Sequence, residues 1–205
     1  MAISTPPLLA RVVTELLAPW VLVLSLPLLV AWHATGDPVA TVVWGTVVGV
    51  FGSVIPMAVV VRGARRGRWQ GHHVTNREGR LVPLFTCALS LGVGILLLVM
   101  GDAPHLMLAL SVSMFLSLLV SIGVTFLWPV PGGRGWKISV HAAVAAGALA
   151  VLVVTYGWWT LVFSPAVALV AWSRVALRDH TVAQVLGGVA MGLVVGGLTF
   201  WWLAG

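Results

Sequence analysis

Three short clusters of His, Arg and Lys interrupt a chain of 205 residues that is otherwise strongly apolar. The first holds His72, His73, Arg77 and Arg80, the second Lys137, Ser139 and His141, and the third Ser173, Arg174, His180 and Gln184. These residue types suit phosphate chemistry. A phosphoryl group in transfer spreads negative charge over three equatorial oxygens, and forked guanidinium donors stabilise it through paired hydrogen bonds. Arg80 and Arg174 fit that role. Attack at phosphorus needs a neutral imidazole whose second nitrogen is held by a partner, and the departing oxygen needs a proton donor that titrates near neutrality. Two histidines on separate segments can divide that work.

The third cluster has the most specific spacing. Gln184 follows His180 by four residues, so on a helix the two share one face, and unpaired amides where that helix begins would favour a phosphate beside them. In the second cluster, Lys137 to His141 lie where the stretch Pro129-Val130-Pro131-Gly132-Gly133 leads into an apolar run. In the first, His73 and Arg80 stand seven apart with Arg77 between them.

Those clusters need elements to hold them, and composition says of what kind. With 60% apolar and 8% charged residues, and several apolar runs long enough to cross about 30 Å of hydrocarbon, the chain reads as an all-α, polytopic transmembrane helix bundle. Hydropathy places six to seven spans, near Leu16 to Ala34, Val39 to Val61, Leu81 to Met100, His105 to Trp128, Ser139 to Tyr156, Trp159 to Val175 and Thr181 to Leu203. Turn chemistry separates them at Thr35-Gly36-Asp37-Pro38, Gly101-Asp102-Ala103-Pro104 and Tyr156-Gly157. Only Arg62 to Arg80 is a long polar connection, so residues 1–205 are expected to form a single integral membrane domain. The run beyond Arg11 is too long for a signal-peptide core, and the N-terminal segment reads as retained structure.

Alternating the spans puts all eleven Lys and Arg residues on one side, with Asp37 and Asp102 and no basic residue on the other. The positive-inside bias makes that basic side cytoplasmic, in a bacterial-type plasma membrane, and brings all three clusters to it. The net charge of +6 then opposes anionic headgroups, so membrane lipids are the expected surroundings and no nucleic-acid partner is implied. Oligomeric state is left open. The lone Cys87 lies in an apolar run, which leaves no disulfide or cysteine metal cluster within one chain. Trp20, Trp128, Trp158 and Trp202 read as anchors at headgroup level, and Gly187, Gly188, Gly192, Gly196 and Gly197 as a stripe for close helix contact. Taken singly, His72, Arg77, Lys137 or Arg178 fits a solvated topology charge, and His33 and His105 fall on the far side.

Together the clusters resemble the motifs of the type 2 phosphatidic acid phosphatase superfamily, membrane lipid phosphatases related in fold to the vanadium haloperoxidases. In that family the first motif is Lys followed after six residues by Arg-Pro, the second is Pro-Ser-Gly-His, and the third is Ser-Arg, five residues, His, three residues, Asp. Here His73 stands for the lysine, Arg80 is kept and Leu81 replaces the proline. Ile138-Ser139-Val140-His141 keeps the serine and histidine with valine for glycine, and Ser173, Arg174 and His180 keep the third motif. The resemblance, which covers roughly residues 70 to 190, implies a phosphatidic acid phosphatase/haloperoxidase-like core. It implies His180 as a nucleophile forming a phosphohistidine, His141 as general acid, and Arg80, Arg174 and Ser139 as phosphate ligands, with no metal or other cofactor. His73, Arg77 and Lys137 are further candidates for the phosphate. Gln184 occupies the aspartate position, where a neutral amide orients His180 without stabilising a charged ring as a carboxylate does. Asp179 and Glu78 are both open as sources of that carboxylate.

The function expected on these grounds is metal-independent hydrolysis of a lipid phosphate, either an isoprenoid diphosphate or phosphatidate. Two alternatives stay open. One is conversion of a prenyl diphosphate by ionisation, giving cyclised or transferred products; the other is a non-catalytic lipid-phosphate binding or transport protein. The absence of a paired Asp-rich motif argues against a metal-dependent prenyltransferase. A haem or metal protein is disfavoured, because His72, His73, His141 and His180 lack paired spacing across facing spans and come with competing arginines.

Overall fold

The computed structural model describes residues 7–67, 81–128 and 136–205, and every regular element among them is helical. Helices α1 (Leu8–Leu16) and α2 (Pro19–Thr35) follow one path, broken at Leu17 and Ala18. Proline disfavours helical backbone in the residue before it, and Ala18 is accordingly extended, with φ −62° and ψ 148°. The first span therefore begins at Leu8, well before the expected Leu16. Asp37 caps α3 (Pro38–Gly49) by accepting the Ala40 N–H at 2.7 Å. A π-helical turn, Val50–Val54, joins α3 to α4 (Ile55–Arg65), which runs past the expected end at Val61. Helices α5 (Leu81–Met100) and α6 (His105–Phe126) form the next hairpin. After α7 (Val140–Tyr156), a 3-10 turn at Trp158–Phe163 enters α8 (Ser164–Ala176). The last span is α9 (Val182–Met191), a π segment at Gly192–Leu198, and α10 (Thr199–Ala204).

Six continuous helical stretches of 19 to 28 residues are long and apolar enough to cross a membrane: Leu8–Thr35, Pro38–Arg65, Leu81–Met100, His105–Phe126, Trp158–Ala176 and Val182–Ala204. The remaining expected span is α7, shorter at 17 residues, or about 25 Å of helix. It is the packing centre of the bundle, touching α2, α8, α9 and the last span's π segment, and its buried alanines at 142, 143, 145 and 146 permit that crowding. The outside is apolar. On α5, Leu89, Val93, Leu96 and Met100 are exposed along one helical stripe, as a face turned to lipid requires.

Glycines bring the last span against α7. A Cβ on Gly188 would overlap the Ser139 carbonyl oxygen, and one on Gly192 would overlap the Ala143 carbonyl oxygen. The glycine stripe read from the sequence is this contact.

The solid core gathers toward the end that carries the Gly36 and Gly101 turns. Val30, Ala31, Leu98, Met107 and Phe200 are fully buried there, in one cluster with Leu26, Leu110 and Val151. Toward the opposite end, where α4 and α8 finish and α7 and α9 begin, the interior opens into a cavity.

Candidate active site

The turn between α8 and α9 does most to assemble the site. Arg174 lies in the last turn of α8, Leu177 caps that helix, and Arg178 adopts a left-handed backbone with φ 59°. A non-glycine residue there costs about 1 to 2 kcal/mol, and strain of this kind gathers where surrounding structure over-determines a site. The chain folds back, so that the Asp179 and His180 amides both donate to the Arg174 carbonyl, at 3.2 and 3.3 Å. Asp179 Oδ2 thereby reaches Arg174 Nη2 at 2.7 Å, and His180 is held next to the pair with 6% of its surface exposed.

Helix α9 then opens with a capping box. The Thr181 hydroxyl accepts the Gln184 N–H at 3.3 Å, and Gln184 Oε1 accepts the Thr181 N–H at 3.2 Å. Gln184 Oε1 also lies 3.1 Å from His180 Nδ1. An atom that accepts a backbone N–H must be the amide oxygen, so the imidazole Nδ1 has to be the donor. A neutral ring donating from Nδ1 carries its lone pair at Nε2, the tautomer that a nucleophilic histidine needs. Gln184→Glu keeps the side-chain length and both accepted hydrogen bonds while adding a charge. If His180 is a nucleophile, this change should raise the plateau of kcat/KM several-fold and move the acidic limb of its pH profile upward, because a carboxylate favours the protonated ring. An unchanged profile would mean that position 184 serves the helix cap alone.

Arg174 is the most deeply placed charge among the described residues, with 2% of its surface exposed. Its Nη1 donates to Thr14 Oγ1 at 3.4 Å, Thr14 donates to Ser173 Oγ at 3.1 Å, and Ser173 donates to the Val170 carbonyl at 2.8 Å. That one-directional chain pins the guanidinium from the α1 side, while Asp179 holds it from the other. Arg174 Nε is buried without a hydrogen-bond partner among the described residues. An orphaned buried donor costs about 1 to 3 kcal/mol, more on a charged group, so this N–H has hydrogen-bonding capacity that an anionic oxygen would satisfy.

The second cluster packs along the first turns of α9. Ser139 is fully buried and caps α7, accepting the Ala142 N–H at 3.4 Å, while its own N–H donates to the Gln184 carbonyl at 3.0 Å. The Trp136 ring lies against Gly187 and the Ser139 carbonyl against Gly188, so half-buried Lys137 is carried alongside the beginning of α9. His141, in the first turn of α7, and Arg174, at the end of α8, both line one cavity of about 320 Å³ that extends into the bundle. His180 is not among the residues that line it.

Arg174, His180, Gln184 and Ser139 are thus brought together by hydrogen bonds, and His141 and Arg174 line the same cavity. His72, His73, Arg77 and Arg80 lie outside the described residues. Two expectations change. The Asp179 carboxylate goes to Arg174, not to His180, and Glu78 lies outside the described residues. Of the amides where α9 begins, expected to favour a phosphate, those of Thr181 and Gln184 are paired within the capping box, which narrows the expectation to Val182 and Ala183. The sequence reading missed Thr14, whose partner is 160 residues away, and no local pattern marks it. It also missed the capping box, although Thr-x-x-Gln at 181–184 is its ordinary signature. Comparison with protein-family models, curated proteins and solved structures gives no match.

Proposed function

We propose that this membrane protein hydrolyses lipid phosphates from a site on its cytoplasmic side, through a phosphohistidine on His180. The reading follows the motif resemblance and is carried by one observation: Gln184 fixes the imidazole of His180 as an Nδ1 donor in the turn that also holds Arg174. In the proposed reaction the Nε2 lone pair attacks phosphorus while the bond to the leaving oxygen breaks. His141 gives its proton to that oxygen, then takes one from water as the water displaces the histidine, restoring both rings. Arg174 offers Nε to a phosphate oxygen and remains held by Thr14 and Asp179, so little reorganisation is needed as charge develops. Ser139 has a smaller part in this account than the resemblance implies, since its hydroxyl already caps α7. Arg80, with His73, Arg77 and Lys137, completes the proposed phosphate contacts.

Conversion by ionisation is less well supported. A carbocation is stabilised over aromatic faces, and Trp20 supplies the only benzenoid ring among the described residues that line the cavity. Product analysis of the purified protein in nanodiscs, with farnesyl diphosphate and phosphatidate in parallel, tests the proposal. Orthophosphate released in step with a prenyl monophosphate or diacylglycerol is expected. A hydrocarbon or prenylated product would move the reading to ionisation, and binding without product would make the protein a lipid-phosphate carrier.

A further inference from the structure

The cavity that begins at His141 and Arg174 deepens the proposed function, on which this inference rests, because its shape and chemistry restrict the lipid. Its lining is mainly apolar, and its two ionisable nitrogen side chains, His141 and Arg174, come from the start of α7 and the end of α8. Along α6, Ser113, Ser117 and Ser121 line the wall at successive helical turns, yet none presents an idle hydroxyl. Ser113 and Ser117 donate to the carbonyls of Leu110 and Ser113 at 2.8 Å each, and Ser121 donates to Met191 Sδ at 3.5 Å. Ser53 likewise donates to the Trp20 carbonyl at 2.8 Å. Among the described residues, the shaft therefore offers mainly hydrocarbon contact, with these serine O–H donors already used.

Its depth and volume are bounded by named residues. On α7 the lining runs from Val140 and His141 to Val151, ten residues or about 15 Å further in, which is half of a hydrocarbon layer of about 30 Å. The far end is closed by Leu26, Leu110 and Val151, all three members of the solid core cluster. An apolar cavity of about 150 Å³ takes one benzene, so about 320 Å³ filled to the same density takes roughly a dozen carbon atoms. Two acyl chains of ordinary membrane length greatly exceed that. Both π-helical segments border the same space, through Gly52 and Ser53 in one and Gly192 in the other, and such segments recur at functional sites.

We propose that this cavity is the chain-binding site for a single-chain prenyl phosphate or diphosphate of about 10 to 15 carbons, with its phosphate at Arg174 and His141 and its chain end against Leu26, Leu110 and Val151. Phosphatidate and very long polyprenyl phosphates have more chain than this volume covers and are expected to be poor substrates. Two measurements test this. In the first, kcat/KM is compared across prenyl diphosphates of increasing chain length and phosphatidate, for wild type and Val151→Phe. The wild type should favour chains of 10 and 15 carbons at least tenfold over phosphatidate, and Val151→Phe should lower the 15-carbon value at least tenfold more than the 10-carbon value. Equal use of phosphatidate, or a loss in Val151→Phe that is uniform across chain lengths, would overturn the proposal.

The second measurement needs neither turnover nor a variant. A farnesyl diphosphate analogue with a diazirine at its chain end, photolysed on the wild-type protein, should label Leu26, Leu110 or Val151, and excess unmodified farnesyl diphosphate should remove that label. Label on the lipid-facing Leu89 and Val93 would overturn the chain site while leaving hydrolysis standing. Label at the cavity floor in a protein that hydrolyses nothing would support the chain site and defeat the phosphohydrolase reading.

Discussion

Replacement of His180 by alanine is expected to lower turnover by at least on the order of 10³-fold while leaving affinity for an unhydrolysed lipid phosphate within about tenfold. The separation follows from the geometry. Arg174 is held by Thr14, Ser173 and Asp179, none of which depends on the imidazole, and the fold-back of the turn rests on backbone bonds to the Arg174 carbonyl. The capping box is likewise independent of the ring, since Gln184 keeps the Thr181 N–H when His180 is gone. Affinity measured by competition with a labelled prenyl diphosphate, alongside phosphate release, separates the two effects. Retention of full turnover in His180→Ala would remove the phosphohistidine route.

Arg174→Ala should behave differently, weakening binding and turnover together. A charge-assisted contact in a water-poor pocket is worth about 2 to 5 kcal/mol, which corresponds to roughly 30- to 5,000-fold in affinity. The fold should survive the change better than the site does. Asp179 loses its partner, but its side chain is 25% exposed and water can solvate it, and Thr14 still bonds Ser173. Arg174→Lys keeps a positive charge but has no Nε and no fork, so it should recover little of the lost affinity. Full recovery by lysine would show that a point charge suffices and that Nε has no role. Thermal unfolding of both variants in the same detergent keeps a loss of fold from passing as a loss of binding.

What could be read from the sequence was what is local or periodic. The apolar runs marked the spans because a helix in hydrocarbon needs a length and a composition, and both are visible residue by residue. Helical spacing suggested that His180 and Gln184 would meet, but His180 lies in the bend before α9, and the 3.1 Å contact forms because the Gln184 side chain folds back over the helix N-cap. Asp179 was harder. Its distance from both candidate partners is short in sequence, and only the left-handed backbone at Arg178 decides that it reaches Arg174. Thr14 was invisible because its meeting with Arg174 depends on how α1 lies on α8, a packing outcome with no period. The cavity was invisible for the same reason. Its walls come one face at a time from helices far apart in the chain, and the hydroxyls of Ser113 and Ser117, polar in sequence, turn back onto their own helix.

In the proposed reaction, hydrolysis passes through His180 in two displacements. The stereochemical course at phosphorus tests it directly, using a prenyl thiophosphate made chiral with oxygen isotopes and hydrolysed in isotopically labelled water. Two in-line displacements, the first by His180 and the second by water, predict net retention of configuration. Net inversion would mean that water attacks phosphorus in one step, and would contradict a covalent role for His180.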